Sequence, residues 1–279
     1  MKERTPRFAL PRGTCDAHMH VYDAAVPSAP GGPPLPGHFP VDAYRALQRR
    51  LGLERVIVVQ PNAYRDDHRV TLAAIAALGP GAKGVGVVQP GVSDAELDRL
   101  TQGGIVAQRI FQLPFGAVGF DRMDDVMARV HPFGWHANIQ LDGRELPKYE
   151  AQINRLAGKF VIDHIGKYLE PVTPDDDAFK ALLRLLDTGR CWVKLSAAYE
   201  TSKTGAPKYE DVGRLATALV KHAPERMLWA SNWPHPSAPK DAVPDDADLV
   251  DLLAEWAPDE TTRRRILVDN PQALYGFGA

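Results

Sequence analysis

His18 and His20 stand one residue apart at the end of an alternating run, Thr14 to Val21 (TCDAHMHV). Alternate residues of an extended chain share a face, so the two imidazoles point the same way and Asp16 is expected to join them lower down. Two imidazoles aimed together are costly to bury without a task; the plain alternative is a hydrogen-bonded core pair. A third histidine, His164, ends Lys159 to His164 (KFVIDH) and is followed by Ile165-Gly166-Lys167, where the glycine lets the backbone turn close to a ligand, or simply caps a turn. The most crowded stretch is Met227 to Ser237 (MLWASNWPHPS), an apolar run stopped abruptly by polar, aromatic and proline residues. Pro234 and Pro236 forbid both ladder pairing and helix there. The chain therefore leaves with fixed φ and presents Asn232 and His235 from a stiff support, or forms an ordinary structural turn with Trp233 as a core aromatic.

Two cations lie inside apolar runs. Arg109, within Ile105 to Phe111 (IVAQRIF), would be penalised heavily if buried unpaired, so it is expected to face a site and hold an anion, most naturally a carboxylate. Lys194, between Val193 and Leu195, invites the same argument, with an ion pair to Asp163 as its structural explanation.

These residues need elements to hold them. Strand-like runs occur at Thr14 to Val21, Arg55 to Gln60, Lys83 to Gln89, Ile105 to Phe111, Trp135 to Leu141, Lys159 to His164, Cys191 to Leu195 and Met227 to Ser231. Helical spacing separates them at Val41 to Leu51, Asp67 to Leu78, Ser93 to Thr101, Phe120 to Val130, Leu146 to Leu156, Pro174 to Asp187 and Tyr209 to His222. Ser93 and Glu96 have capping-box spacing. Asp246 to Trp256 and a last helical segment within 258–279 close the chain, and Pro27 to Pro40 can only be a long loop. Eight strands each followed by a helix, with no composition break, predict an α/β fold: one (β/α)8 TIM barrel over 1–279, with residues 1–13 as an N-terminal arm. A doubly wound sheet would want a glycine-rich turn after the first strand, where this chain has His-Met-His. A barrel demands function at the C-terminal strand ends. There stand His18, His20, Gln60, Asn62, Gln89, Arg109, Gln140, Asp163, His164, Lys194, Ser196, Asn232 and His235.

Composition narrows the partners. The formal charge is -2 with a pI near 6.5, and the longest basic run is Arg263-Arg264-Arg265, which argues against nucleic acid. No apolar window approaches the roughly 20 residues that span a bilayer. With two cysteines, Cys15 and Cys191, and no export-like N-terminus, a cytoplasmic protein with reduced, buried thiols is expected.

His18-Met-His20, Val-Ile-Asp-His164-Ile-Gly and Trp-Ala-Ser-Asn232-Trp-Pro-His235-Pro, in that order, resemble the amidohydrolase superfamily, and more narrowly its lactone-processing branch, which includes 2-pyrone-4,6-dicarboxylate lactonase. The similarity runs from Asp16 to Tyr275. The resemblance implies a barrel with its site at the strand C-termini. It implies site histidines at His18, His20 and His164, a carboxylate-binding arginine at Arg109, and a substrate loop at His235.

The departures from that branch carry as much weight. Its hydrolases keep an aspartate, the base that activates water, where this chain has Asn232, and an amide cannot accept a proton near neutral pH. Superfamily metal sites use a carbamylated lysine or glutamate, a histidine and that aspartate, where this chain has Arg109, Gln140 and Asn232. These departures disfavour a metal, because a cationic Arg109 repels a divalent ion and Asn232 neutralises none of its charge, and no other cofactor is expected. Together with Pro-Gly-Gly-Pro-Pro-Leu-Pro36 and Tyr199-Glu200-Thr201-Ser202, the chain is most similar to the D-galactarolactone isomerase family. That implies a small acidic sugar lactone as partner, 1,5-lactone to 1,4-lactone isomerisation, catalytic His18, His20 and His164, and substrate contacts from Arg109 and His235; places at the strand ends and in the loops after them add Asn232 to the catalytic set and Asn62, Gln140, Gln60, Lys194 and Tyr199 to the substrate contacts. A lactone hydrolase with another base, a non-catalytic sugar-acid binding protein and a metal-dependent amidohydrolase stay open as alternatives.

Overall fold

The computed structural model describes residues 4–278, so residues 1–3 of the expected arm and Ala279 lie outside the described residues. Eight parallel strands are hydrogen-bonded in chain order. They are β1 (Cys15–Met19), β2 (Arg55–Val59), β3 (Ala82–Gly86), β4 (Ile105–Phe111), β5 (His136–Gln140), β6 (Phe160–Ile162), β7 (Cys191–Leu195) and β8 (Met227–Trp229). The ring closes just beyond β1 and β8: the Asn232 N–H donates to the His18 carbonyl at 2.9 Å and the His20 N–H to the Trp233 carbonyl at 2.8 Å. This is the expected (β/α)8 barrel.

The connecting helices are α1 (Val41–Leu51), α2 (Arg69–Leu78), α3 (Asp94–Gln102), α4 (Met123–Val130), α5 (Leu146–Arg155), α6 (Asp177–Asp187), α7 (Glu210–His222) and α8 (Asp246–Trp256). Each lays an apolar stripe on the barrel. In α6 the buried residues are Phe179, Ala181, Leu182, Leu185 and Leu186, the spacing of one helical face. Ser93 caps α3 by accepting from the Glu96 N–H at 3.2 Å, as the spacing required.

Inside the barrel, small Ala17, Ala107 and Ala230 leave room for Trp192 among Ile57, Val59 and Val161. Leu274, Tyr275 and Phe277 join this inner cluster from below. Lys83 Nζ donates to the carbonyls of Tyr275 at 2.7 Å and Gly276 at 2.9 Å, and the Tyr275 ring packs on His136, the first residue of β5. The N-terminal end of the barrel is thereby plugged, which leaves the other end for chemistry.

Two expectations need correction. Asp16 does not join His18 and His20. The β1–β2 register shifts between Asp16 and Met19, so the bulge turns Asp16 away from the interior while Ala17 and the two histidines stay inside. There Asp16 accepts from Tyr44 Oη of α1 at 2.9 Å, the Ser231 N–H at 2.9 Å and the His18 N–H at 3.1 Å. The last segment is also not one helix over 258–279. It is α9 (Glu260–Arg264), a π-turn over Arg265–Asp269 and α10 (Asn270–Tyr275), ended by Gly276 at φ 63°. Pro271 has no N–H to continue the α-pattern, and the Asn270 N–H reaches back five residues to the Arg265 carbonyl. No helix among the described residues is long and apolar enough to cross a membrane.

Candidate active site

At the C-terminal mouth lies a cavity of about 460 Å³. Six expected residues line it: His20, Asn62, Arg109, Gln140, His164 and Asn232, roofed by Pro33, Pro34, Leu35 and Pro36 and by the exposed Phe115. His18, Gln60, Lys194, Tyr199 and His235 stand behind that wall and do not line the cavity. Gln60 gives its amide N–H groups to the carbonyls of Arg65 and Asp67 and accepts from Thr71, which spends its side chain on the loop after β2. Gln89 opens on a different surface hollow with His68 and Glu96. Gly166 does not face the cavity either: a Cβ there would meet the Tyr168 ring at 2.7 Å, so its freedom serves packing.

A directional hydrogen-bond chain holds the first two histidines. His20 Nδ1 lies 2.8 Å from the Val59 carbonyl, which only accepts, so Nδ1 carries the proton. His18 Nε2 then donates to His20 Nε2 at 3.2 Å. On its other side His18 Nδ1 accepts from Lys194 Nζ at 3.1 Å. Lys194 also donates to Asn138 Oδ1 at 2.7 Å and pairs with Asp163 Oδ1 at 3.1 Å, while Asn138 Nδ2 donates to Asp163 Oδ2 at 2.8 Å. The Lys194–Asp163 ion pair was the structural explanation open to the sequence. Burial, then Lys194, holds His18 well below the usual imidazole range. Burial, then Arg109, depresses His20 to about 3. Burial alone would raise Asp163, but Lys194 and His18 outweigh it and hold the carboxyl well below its usual range.

His164 is different. Its backbone sits at φ 54°, followed by Ile165 at 56° and Lys167 at 47°, a run of left-handed residues that ends β6 early and aims the imidazole into the cavity. Nδ1 lies 2.8 Å from Ser196 Oγ. A hydroxyl can donate or accept, so rotating it switches which imidazole nitrogen holds the proton, and Nε2 serves as donor or acceptor in turn. Burial, then His18, depresses His164 to about 3, so it is neutral at pH 7.

Arg109 is buried in the cavity wall, carried by β4. Its Nη1 donates to the Gln60 carbonyl at 2.8 Å and to Asn62 Oδ1 at 3.0 Å, and Nη2 faces Gln140 Oε1 at 3.4 Å. Its Nε has no partner, and no ion pair to it exists among the described residues. A buried guanidinium held only by neutral acceptors leaves an unneutralised positive charge at the cavity wall.

The third wall is formed by loops after β6, β7 and β8. Glu200 accepts from Asn232 Nδ2 at 3.2 Å and pairs with Lys167. Asn232, at φ 60°, spends its other amide hydrogen on Tyr199 Oη at 2.8 Å. His235 Nδ1 lies 3.0 Å from the same hydroxyl and its Nε2 3.2 Å from Asp246 Oδ1, so it braces the loop from behind. Lys167 and Glu200 line the cavity, and sequence reasoning did not assign them a role. Each is an ordinary charged loop residue in one dimension; only Glu200's place in the motif after β7 hinted at it. Asn138, mid-strand on β5, was missed because a single neutral amide within a strand carries no signal of its partners, Lys194 and Asp163.

The resemblance to amidohydrolases raises the question of a divalent ion. His18, Asp163 and His164 bring ligand atoms within 4.8 Å of one another. They do not fit one, because Lys194 Nζ lies 3.1 Å from both His18 Nδ1 and Asp163 Oδ1. An ammonium there repels a second cation and takes the His18 Nδ1 lone pair, and His18 Nε2 is committed to His20.

A parallel eight-stranded barrel with histidines after β1 and β6 and a polar loop after β8 is the architecture of the amidohydrolases, and residues 15–277 match that family's model. The chain belongs to the amidohydrolase family. It is 40% identical over 273 residues to a D-galactarolactone isomerase from Agrobacterium fabrum, covering 97% of this chain and 93% of that protein. It is 34% identical over 284 residues to a 2-pyrone-4,6-dicarboxylate hydrolase from Comamonas testosteroni, covering 97% and 92%. The apo crystal structure of an Agrobacterium tumefaciens protein superposes with a TM-score of 0.92 at 38% identity, over 98% of this chain and 99% of that one.

Proposed function

We propose that this enzyme isomerises an acidic sugar lactone, D-galactaro-1,5-lactone, to the 1,4-lactone by intramolecular acyl transfer without a metal. The observation that carries the reading is Asn232: an amide, with both N–H groups committed, stands after β8. Water attack loses the carboxylate that would accept its proton at this position, whereas a substrate hydroxyl held beside its own carbonyl enjoys an effective molarity of about 10⁵ M or more. Similarity to a D-galactarolactone isomerase supports the choice.

In this reading Arg109 grips the C6 carboxylate and Gln140 offers its amide N–H to the lactone carbonyl. The 4-hydroxyl oxygen attacks C1, and its proton passes to His164 Nε2 while Ser196 accepts from Nδ1. The tetrahedral centre then breaks its bond to O5, and the same proton returns to O5. His20, fixed by His18, Lys194 and Val59, supplies a neutral wall. Asn232 Oδ1, left free by the two donations of Nδ2, accepts from a ring hydroxyl. His18, Lys194, Gln60, Tyr199 and His235 position these groups and do not touch substrate.

Proton NMR of the 1,5-lactone with enzyme in heavy water tests this: 1,4-lactone must accumulate before any open diacid. Diacid as first product would establish the second reading, a lactone hydrolase, for which the cavity-lining carboxylate of Glu200 is the available base. Treatment with chelator must leave the isomerisation rate unchanged; lost activity restored by zinc would overturn the metal-free mechanism.

A further inference from the structure

The charged side chains lining the cavity among the described residues are Arg109, Lys167 and Glu200. Arg109 has no anionic partner, whereas Lys167 is already paired with Glu200. The pair is shielded, with side chains 11% and 5% exposed, and Asn232 Nδ2 donates to Glu200 Oε1 at 3.2 Å. The cavity therefore has one unsatisfied cation at one wall. At the other it has a carboxylate whose remaining lone pairs suit O–H donors and repel a second anion.

We infer that Glu200, by occupying Lys167, makes this a site for lactones with a single carboxylate and hydroxyl groups at the far end, and rejects lactones that carry a second anionic group. The inference rests on Arg109 as the carboxylate anchor of the proposed reaction. It sets this cavity apart from one built for two carboxylates, the kind of substrate for which a similar hydrolase is named. A site for two carboxylates needs two available cations, and here an internal carboxylate has taken one of them.

The test is calorimetric binding of two planar probes that differ by one charge, 2-pyrone-6-carboxylate and 2-pyrone-4,6-dicarboxylate, at fixed ionic strength. The wild-type protein should prefer the monocarboxylate by about tenfold or more. Glu200→Gln, which frees Lys167, should tighten the dicarboxylate by about tenfold or more and change the monocarboxylate by less than about threefold. Lys167→Met, which leaves Glu200 without its cation, should weaken the dicarboxylate further, and this second arm stands if the first variant does not fold. An unchanged preference ratio in the variants overturns the inference. The readout involves no turnover, so a protein that fails to isomerise the 1,5-lactone yet shifts its ratio sinks the proposed reaction and keeps the charge selection; the reverse outcome does the opposite.

Discussion

Asn232 Nδ2 lies 3.2 Å from Glu200 Oε1, so position 232 is required to be a donor. An aspartate there would set two carboxylates against each other in a buried wall, where like charges at such a distance share one proton. Asn232→Asp should lower isomerase activity at least about tenfold at pH 8 and recover part of it toward pH 5, as the shared proton is taken up. Asn232→Asp combined with Glu200→Gln restores a donor–acceptor pair and returns a carboxylate to the loop after β8. NMR of that double variant should show open diacid from the 1,5-lactone. If it makes none, the amide is not what holds water attack in check.

Arg109 contacts only neutral acceptors, and charge-assisted hydrogen bonds contribute ~1.5–3 kcal/mol. Arg109→Met should raise KM for the acidic lactone about 10- to 150-fold and leave a neutral aldonolactone within about threefold. Equal effects on both substrates would mean that the guanidinium binds something other than the carboxylate.

Lys194 and Asp163 are both fully buried, 3.1 Å apart. Removing one partner of such a pair costs about 3–5 kcal/mol. Asp163 is held below its usual range, so the stability it contributes is present at neutral pH and lost as the pH falls below about 4. In Lys194→Met the carboxyl keeps its burial and loses its cation, which pushes its pKa up. The deficit against wild type, measured by chemical denaturation, should therefore shrink between pH 7 and pH 5. A deficit independent of pH would place the cost in packing alone.

Burial depresses His20, His136 and His164 to about 3 each. The unfolded chain binds those protons from about pH 6.5 downward and the folded protein does not. Stability should thus fall as the pH drops from about 6.5 toward 3, by ~1.4 kcal/mol per pH unit for each group. His136 lies on the barrel floor against Tyr275, far from the cavity lining. His136→Leu should make the slope between pH 4 and 6 shallower by one proton; an unchanged slope would mean that this imidazole is charged in the native state.

The repeating alternation of β-branched runs with amphipathic stretches was enough to specify the barrel, because burial on both faces of a strand and on one stripe of a helix leaves its mark residue by residue. The same logic put Arg109, His20 and His164 at the mouth, since a charge or imidazole in an apolar run must have somewhere to go, and the prolines that stop the last strand put Asn232 there. What the chain could not disclose in one dimension is who meets whom. The β1 bulge that turns Asp16 toward Tyr44 and Ser231, the lysine that occupies His18, and the bracing of His235 by Tyr199 and Asp246 join residues far apart in sequence. Lys167 and Glu200 arrive from loops after different strands and become a single neutral wall only when the barrel closes. Hydrophobic periodicity is a local property, whereas ion pairing and proton position depend on distances across the mouth, and those are decided by closure of the ring.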